Sequence, residues 1–160
     1  MNITLSYKAC MLLRKLGYNE WSDNLYTTLI THNGEYIDED EEFELKAQKR
    51  GKEIKRQRGG CIIRMSNRNY NDYICKYNCS AVDFSEFCEW MMYKKHVFIA
   101  INVDSKSAKP LSLAFYEIDK MGGLSPYNFK AKNFTLHEAK DAIDKEVMRF
   151  LKKFDENRKV

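Results

Sequence analysis

Residues 38 to 58 constrain the fold of this chain more than any other stretch. Asp38–Glu44 holds six acids around Phe43, and Lys46–Arg58 holds seven basic residues and one acid, Glu53. Its apolar residues are Phe43, Leu45, Ala47 and Ile54, too few for a buried helical stripe. The acidic end comes first and the basic end last, the order that complements a helix dipole. Glu42 and Lys46 are spaced as an i,i+4 pair. Gly51 interrupts the run at a cost of about 1 kcal/mol relative to Ala, and Gly59-Gly60 closes it. The segment 38–60 is therefore expected to be a charged arm or a weakly packed helix, and the core must come from elsewhere.

The rest of the chain supplies one. With 160 residues, 44% hydrophobic and 13% aromatic, it is long enough for one domain over 1–160 and too apolar to be disordered as a whole. Leu5, Ala9, Leu12, Leu13 and Leu16 fall on one helical face, with Thr4 as candidate N-cap and Gly17 placed for a left-handed C-terminal cap. Leu25–Thr31 alternates like a strand. His32-Asn33-Gly34 reads as a hairpin turn leading to a return strand at Glu35–Ile37. Cys61–Met65 and Tyr70–Tyr77 read as a hairpin around Ser66–Asn69. Asp83 and Glu86 have capping-box spacing ahead of a helix with Phe84, Phe87, Cys88, Met91 and Met92 on its apolar face. Val97–Val103 and Leu111–Ile118 make another hairpin, followed by a loop over Met121–Lys132. Thr135 and Glu138 cap the last helix, whose stripe is Leu136, Ala139, Ile143, Val147, Leu151 and Phe154, with Phe134 as a staple against Ala139. The predicted class is α+β: a mostly antiparallel sheet built from hairpins with three helices packed on one face, plus the charged excursion at 38–60. The alternative organisation is two lobes joined at Gly59-Gly60.

Several chemistries lack their motifs. No run of 18 apolar residues exists, and the N-terminus has no signal-peptide pattern. Five cysteines, an odd number with irregular spacing, read as reduced thiols in a cytoplasmic protein. The glycines build neither a Walker loop nor a dinucleotide fingerprint. Cys75, Cys79, Cys88 and His96 do not have a familiar zinc spacing. His32, His96 and His137 stand in no motif with a nucleophile, so no catalytic residue, metal ligand or cofactor is assigned. The acids of Asp38–Glu44 could hold a divalent ion only if their oxygens converged.

The net charge of +4 is too small to establish nucleic-acid binding and has the wrong sign for a DNA mimic. What remains is local. Lys46, Lys49, Arg50, Lys52, Lys55, Arg56 and Arg58 could meet several phosphates. Downstream, Arg64 and Arg68 lie among Tyr70 and Tyr73, and cations beside rings suit single-stranded RNA. These eleven residues are the candidate contact surface for a partner or a nucleic acid.

Three segments carry a resemblance. VDFSEFCEWMMYKKHVFIAINVD (82–104), LSLAFYEID (111–119) and FTLHEAKDAIDKEVMRFLKKF (134–154) resemble small uncharacterised accessory proteins of phages and mobile elements of Bacteroidetes-type bacteria. The likeness is carried by Glu89-Trp90 and by Phe134-Thr135 with Glu138-Ala139. TLSYKACMLLRKLGY (4–18) is similar to their opening helix. The resemblance implies a non-enzymatic viral protein in the host cytoplasm that binds and inhibits a defence nuclease complex, such as an RNA-guided nuclease or its guide RNA, in the anti-CRISPR manner. The expected partner is a host protein or ribonucleoprotein, without membrane association. The alternatives are an RNA or single-stranded nucleic-acid-binding module and a small metal-dependent nuclease using Asp38–Glu44.

Overall fold

The computed structural model describes residues 3–31, 54–69, 71 and 78–158, with backbone alone for 23, 27–31 and 54–68. The chain is α+β. Its elements are α1 (Tyr7–Lys15), β1 (Ser22–Thr31), β2 (Ile54–Arg68), β3 (Cys79–Ser80), α2 (Phe84–Lys95), β4 (Val97–Val103), β5 (Leu111–Ile118), β6 (Leu124–Pro126) and α3 (Ala139–Arg158). The antiparallel strands are divided between two sheets of three, ordered β2-β1-β3 and β4-β5-β6, where a single sheet was expected. The chain separates into two compact units, Leu5–Val82 and Asp83–Val160 together with Met1–Thr4. Gly59 and Gly60 lie inside β2, within the first unit. Among the described residues, no helix is long and apolar enough to cross a membrane.

In the N-terminal unit, α1 begins two residues later than its apolar stripe suggests. Ser6 is the N-cap, its hydroxyl accepting from the Ala9 N–H at 3.2 Å. Thr4, the expected cap, is instead drawn into a backbone bridge with Asp83. The helix ends as expected on Gly17, at φ 93°, a conformation glycine adopts without a Cβ penalty. The Gly17 N–H reaches the Arg14 carbonyl and the Tyr18 N–H the Leu13 carbonyl, the two bonds of a Schellman cap. Behind α1, the Tyr26 hydroxyl donates to the Leu5 carbonyl at 2.8 Å, and Leu5, Ala9, Cys10 and Leu13 are buried.

β1 is the central strand. Its long partner is β2, from Thr31 opposite Ile54 to Ser22 opposite Arg68. Two expectations change here. Ile54–Arg58 is strand, not helix or arm, because Leu29–Thr31, with β-branched Ile30 and Thr31, offers a ladder in which Arg56, Lys55 and Ile54 are the register partners. Ser66–Arg68, expected in the turn of a hairpin, are part of the strand, and the expected return strand Tyr70–Tyr77, Asn71 apart, lies outside the described residues. The turn-forming residues become bulges. Met65, Ser66 and Asn67 stand opposite Asp23 alone, and Gln57 through Gly60 stand opposite Thr28 alone. Extra residues with weak strand preference are accommodated this way at a sheet edge. The Asn33-Gly34 turn, the return strand Glu35–Ile37 and residues 38–53 of the charged excursion lie outside the described residues.

In the C-terminal unit the capping predictions hold. The Asp83 carboxylate accepts from the Glu86 N–H at 2.9 Å while Glu86 accepts from the Asp83 N–H at 3.3 Å. The helix buries Phe87, Trp90 and Met91, so Trp90 replaces Met92 on the core face. β4 and β5 pair over their full lengths, Val97 opposite Glu117 and Val103 opposite Leu111. Part of the loop expected over Met121–Lys132 is the short edge strand β6. Thr135 and Glu138 bond side chain to backbone in both directions ahead of α3. The helix then buries Ala139, Ile143, Glu146, Val147, Phe150, Leu151 and Phe154. Leu136, predicted on that stripe, is 68% exposed, because it sits in the turn before the first helical residue.

Candidate functional site

Of the eleven candidate contact residues, five are described, and all five are on β2: Lys55, Arg56, Arg58, Arg64 and Arg68. Lys55 is the register partner of Ile30, Arg56 of Leu29, Arg64 of Asn24 and Arg68 of Ser22, while Arg58 falls in the four-residue bulge. At 3.2–3.4 Å per strand residue, Lys55 and Arg68 are separated by at most roughly 45 Å. β2 is an edge of its sheet among the described residues. Bulges and cationic residues at an edge both discourage further strand pairing. Lys46, Lys49, Arg50, Lys52, Tyr70 and Tyr73 lie outside the described residues, as do the acids of Asp38–Glu44. Asn71, between the two tyrosines, ties its surroundings together: its amide donates to the Tyr18 carbonyl at 2.6 Å and its oxygen accepts from the Ser80 N–H at 3.0 Å.

The thiols are poor nucleophiles where they are described. Cys10 and Cys79 are buried and Cys88 is half-buried, and none of the three is in a disulfide. Burial, then the neighbouring Cys10, pushes the Cys79 thiol far up, against a smaller opposing effect of Arg14. Burial, then Asp83, pushes Cys88 up to about 12. A protonated thiol is neither a metal ligand nor a nucleophile. Cys75 lies outside the described residues. Among the described residues, no three His, Cys, Asp or Glu side chains gather as a metal site.

The sequence did not point to a cleft of about 240 Å³ in the C-terminal unit, lined by Lys95, His96, Glu117, Ser125, Tyr127 and Phe154 among others. Its rim is built where α2 turns into β4. His96 caps α2 in the left-handed region at φ 57°. The Lys95 amine lies over the Trp90 ring at 5.2 Å, and its pKa is lowered, first by burial and then by Arg158. Asp119, at the cleft wall, is already committed, its carboxylate accepting from the N–H groups of Met121 and Gly123. The cleft mixes both charges with apolar walls. Its signal in the sequence was slight: a histidine where glycine usually caps a helix.

Comparison with models of known families, with curated proteins and with solved structures finds no match.

Proposed function

We propose that this protein acts by binding, as an inhibitor of a host defence nuclease complex, with the cations of β2 engaging the phosphates of the guide RNA or of another RNA in that complex. One observation supports the reading above the others: Lys55, Arg56, Arg58, Arg64 and Arg68 share one 15-residue strand, at the edge of its sheet among the described residues. An extended strand spreads these five residues along the chain over at most roughly 45 Å, with alternate residues on opposite faces, and cationic residues spread in this way suit the run of charges along a single strand of nucleic acid. The phage-like resemblance of segments 82–104, 111–119 and 134–154 supplies the biological setting of the proposal.

The test is salt-dependent binding to a single-stranded RNA of about 20 nucleotides, followed by fluorescence anisotropy. Five phosphate contacts on a single strand correspond to a slope of log K against log salt near −3.5, at about −0.7 per contact. Changing Lys55, Arg56, Arg58, Arg64 and Arg68 together to Ser should bring that slope towards zero and abolish inhibition of the nuclease complex. Unchanged affinity and slope in that variant would remove β2 from the mechanism. Cleavage of the RNA that stops on adding a chelator would instead establish the metal-dependent nuclease reading.

A further inference from the structure

The strand β4 has the sequence Val-Phe-Ile-Ala-Ile-Asn-Val and lies at the edge of the β4-β5-β6 sheet. The bonds that flank its ladder fix which of its residues face β5. The Ile118 N–H donates to the His96 carbonyl at 2.8 Å, and the Asp104 N–H donates to the Pro110 carbonyl at 2.7 Å. Both β4-side residues are even-numbered. The register is unbroken between them, so Phe98, Ala100 and Asn102 bond to β5 as well. In an antiparallel ladder the alternate residues point the other way. The N–H and C=O groups of Val97, Ile99, Ile101 and Val103 therefore face outwards, and no described strand pairs with them.

Three further properties of this edge stand together. It has no charged residue, no proline and no bulge, the devices that protect edges elsewhere. By contrast β2 has five cations and two bulges, and β6 is three residues long and ends in Pro126. Its outer half is apolar and uncovered: Val97 and Ile99 are buried, whereas Ile101 is 44% and Val103 70% exposed. Its sequence reads nearly the same in both directions about Ala100, with Val97 matching Val103 and Ile99 matching Ile101.

We infer that β4 is a self-pairing edge, through which two copies of this chain join antiparallel about a two-fold axis at Ala100. In that register Val97 lies opposite the partner's Val103, and Ile99 lies opposite the partner's Ile101. The outward-facing groups of all four residues then pair, giving roughly eight backbone hydrogen bonds. A shift of the axis by one residue to Ile99 or Ile101 leaves one of the four pairs unmade. The exposed Ile101 and Val103 of one copy come beside the buried Ile99 and Val97 of the other. Ala100 meets its own counterpart at a non-hydrogen-bonded position, where Cα atoms approach to about 4.5 Å. No like charges are brought together, as they would be if β2 met its own copy. The surface is self-complementary, which is what an isologous dimer requires.

The experiment is sedimentation equilibrium of the full chain over a concentration series reaching about 100 μM, a range that populates a dimer of micromolar dissociation constant. A mass approaching twice 19.0 kDa is expected. Ile101→Pro removes an outward N–H while leaving every bond to β5, and Ile101→Lys places a charge beside its symmetry mate. Both should return the mass to that of one chain, with circular dichroism and thermal midpoint within a few degrees of the parent. Ala100→Cys should form a covalent dimer under mild oxidation, since the Cα separation across the axis suits a disulfide. Phe98→Cys, whose symmetry mate is distant, and the parent chain should not. A parent chain that stays monomeric throughout, or a dimer that survives both Ile101 variants, would overturn the proposal.

Discussion

Phe115 of β5 and Phe150 of α3 stack face to face, their ring centroids 3.9 Å apart and their planes 10° from parallel. Phe129 and Tyr127 meet Phe150 edge-on, and Phe154 stacks from the next turn. The last helix is thus fixed to its sheet by one aromatic cluster. Phe150→Ala is expected to cost about 3–5 kcal/mol, through lost transfer energy and the cavity left behind. Leu136→Ala, on the residue the sequence stripe included and the fold exposes, should cost under about 0.5 kcal/mol. Urea unfolding of the two variants checks the contrast, and equal losses would contradict the observed face of α3.

Glu146 is buried in the same helix and held by Arg149, whose Nη1 donates to both carboxylate oxygens at 2.8 and 2.6 Å. The guanidinium also covers the Phe129 ring at 5.0 Å. Arg149→Met keeps the packing stem and leaves a buried carboxylate without its partner. Because Arg149 is partly exposed, the expected loss is about 1–3 kcal/mol, below that of a fully buried pair. Adding Glu146→Gln should recover most of it. A double-mutant cycle on unfolding free energies measures the coupling.

The capping box of α2 should make stability pH-dependent. Burial, aided by the side-chain bond to Asp83 and the charges of Asp83 and Glu89, pushes the Glu86 carboxyl up to about 7, against the opposing effect of its bond to the Asp83 N–H. The folded state therefore holds a proton that the unfolded state releases near 4.5. The contribution is fully present below pH 4.5 and is lost as pH rises towards 7. Glu86 is only half-buried, so solvent screening reduces the effect to about 1 kcal/mol or less. Glu86→Gln should flatten the unfolding free energy between pH 4.5 and 7, as followed by urea denaturation. An equally steep decline in that variant would assign it to other groups.

The described thiols should be nearly inert in the folded chain. Cys79 and Cys88 are held protonated by burial. Alkylation by iodoacetamide at pH 8 should be slower by at least about 100-fold at these positions than in the urea-unfolded chain. Peptide mass spectrometry over a time course reads each site separately. Rapid labelling of native Cys88 would show that its helix opens readily.

Local signals were readable because their causes are local. Asp83 with Glu86, Thr135 with Glu138 and Gly17 satisfy helix ends within a few residues of chain, so spacing alone located them. The β4–β5 hairpin was equally legible, since its two alternating strands are separated by one short turn. The cations of β2 were visible as a cluster, but their spacing suited a helix dipole, and the helical reading prevailed. Only the long-range pairing of Leu29–Thr31 with Ile54–Arg56 made that stretch a strand, and no pattern within residues 46–58 encodes a partner more than twenty residues away. The same holds for edges. The near-palindrome of Val97–Val103 is written in the sequence, but whether its second row of hydrogen-bonding groups is taken depends on sheet order. Burial followed the same division. Periodicity located the face of α3, but helix start and sheet position decided that Phe150 and Trp90 go inside and Leu136 stays out.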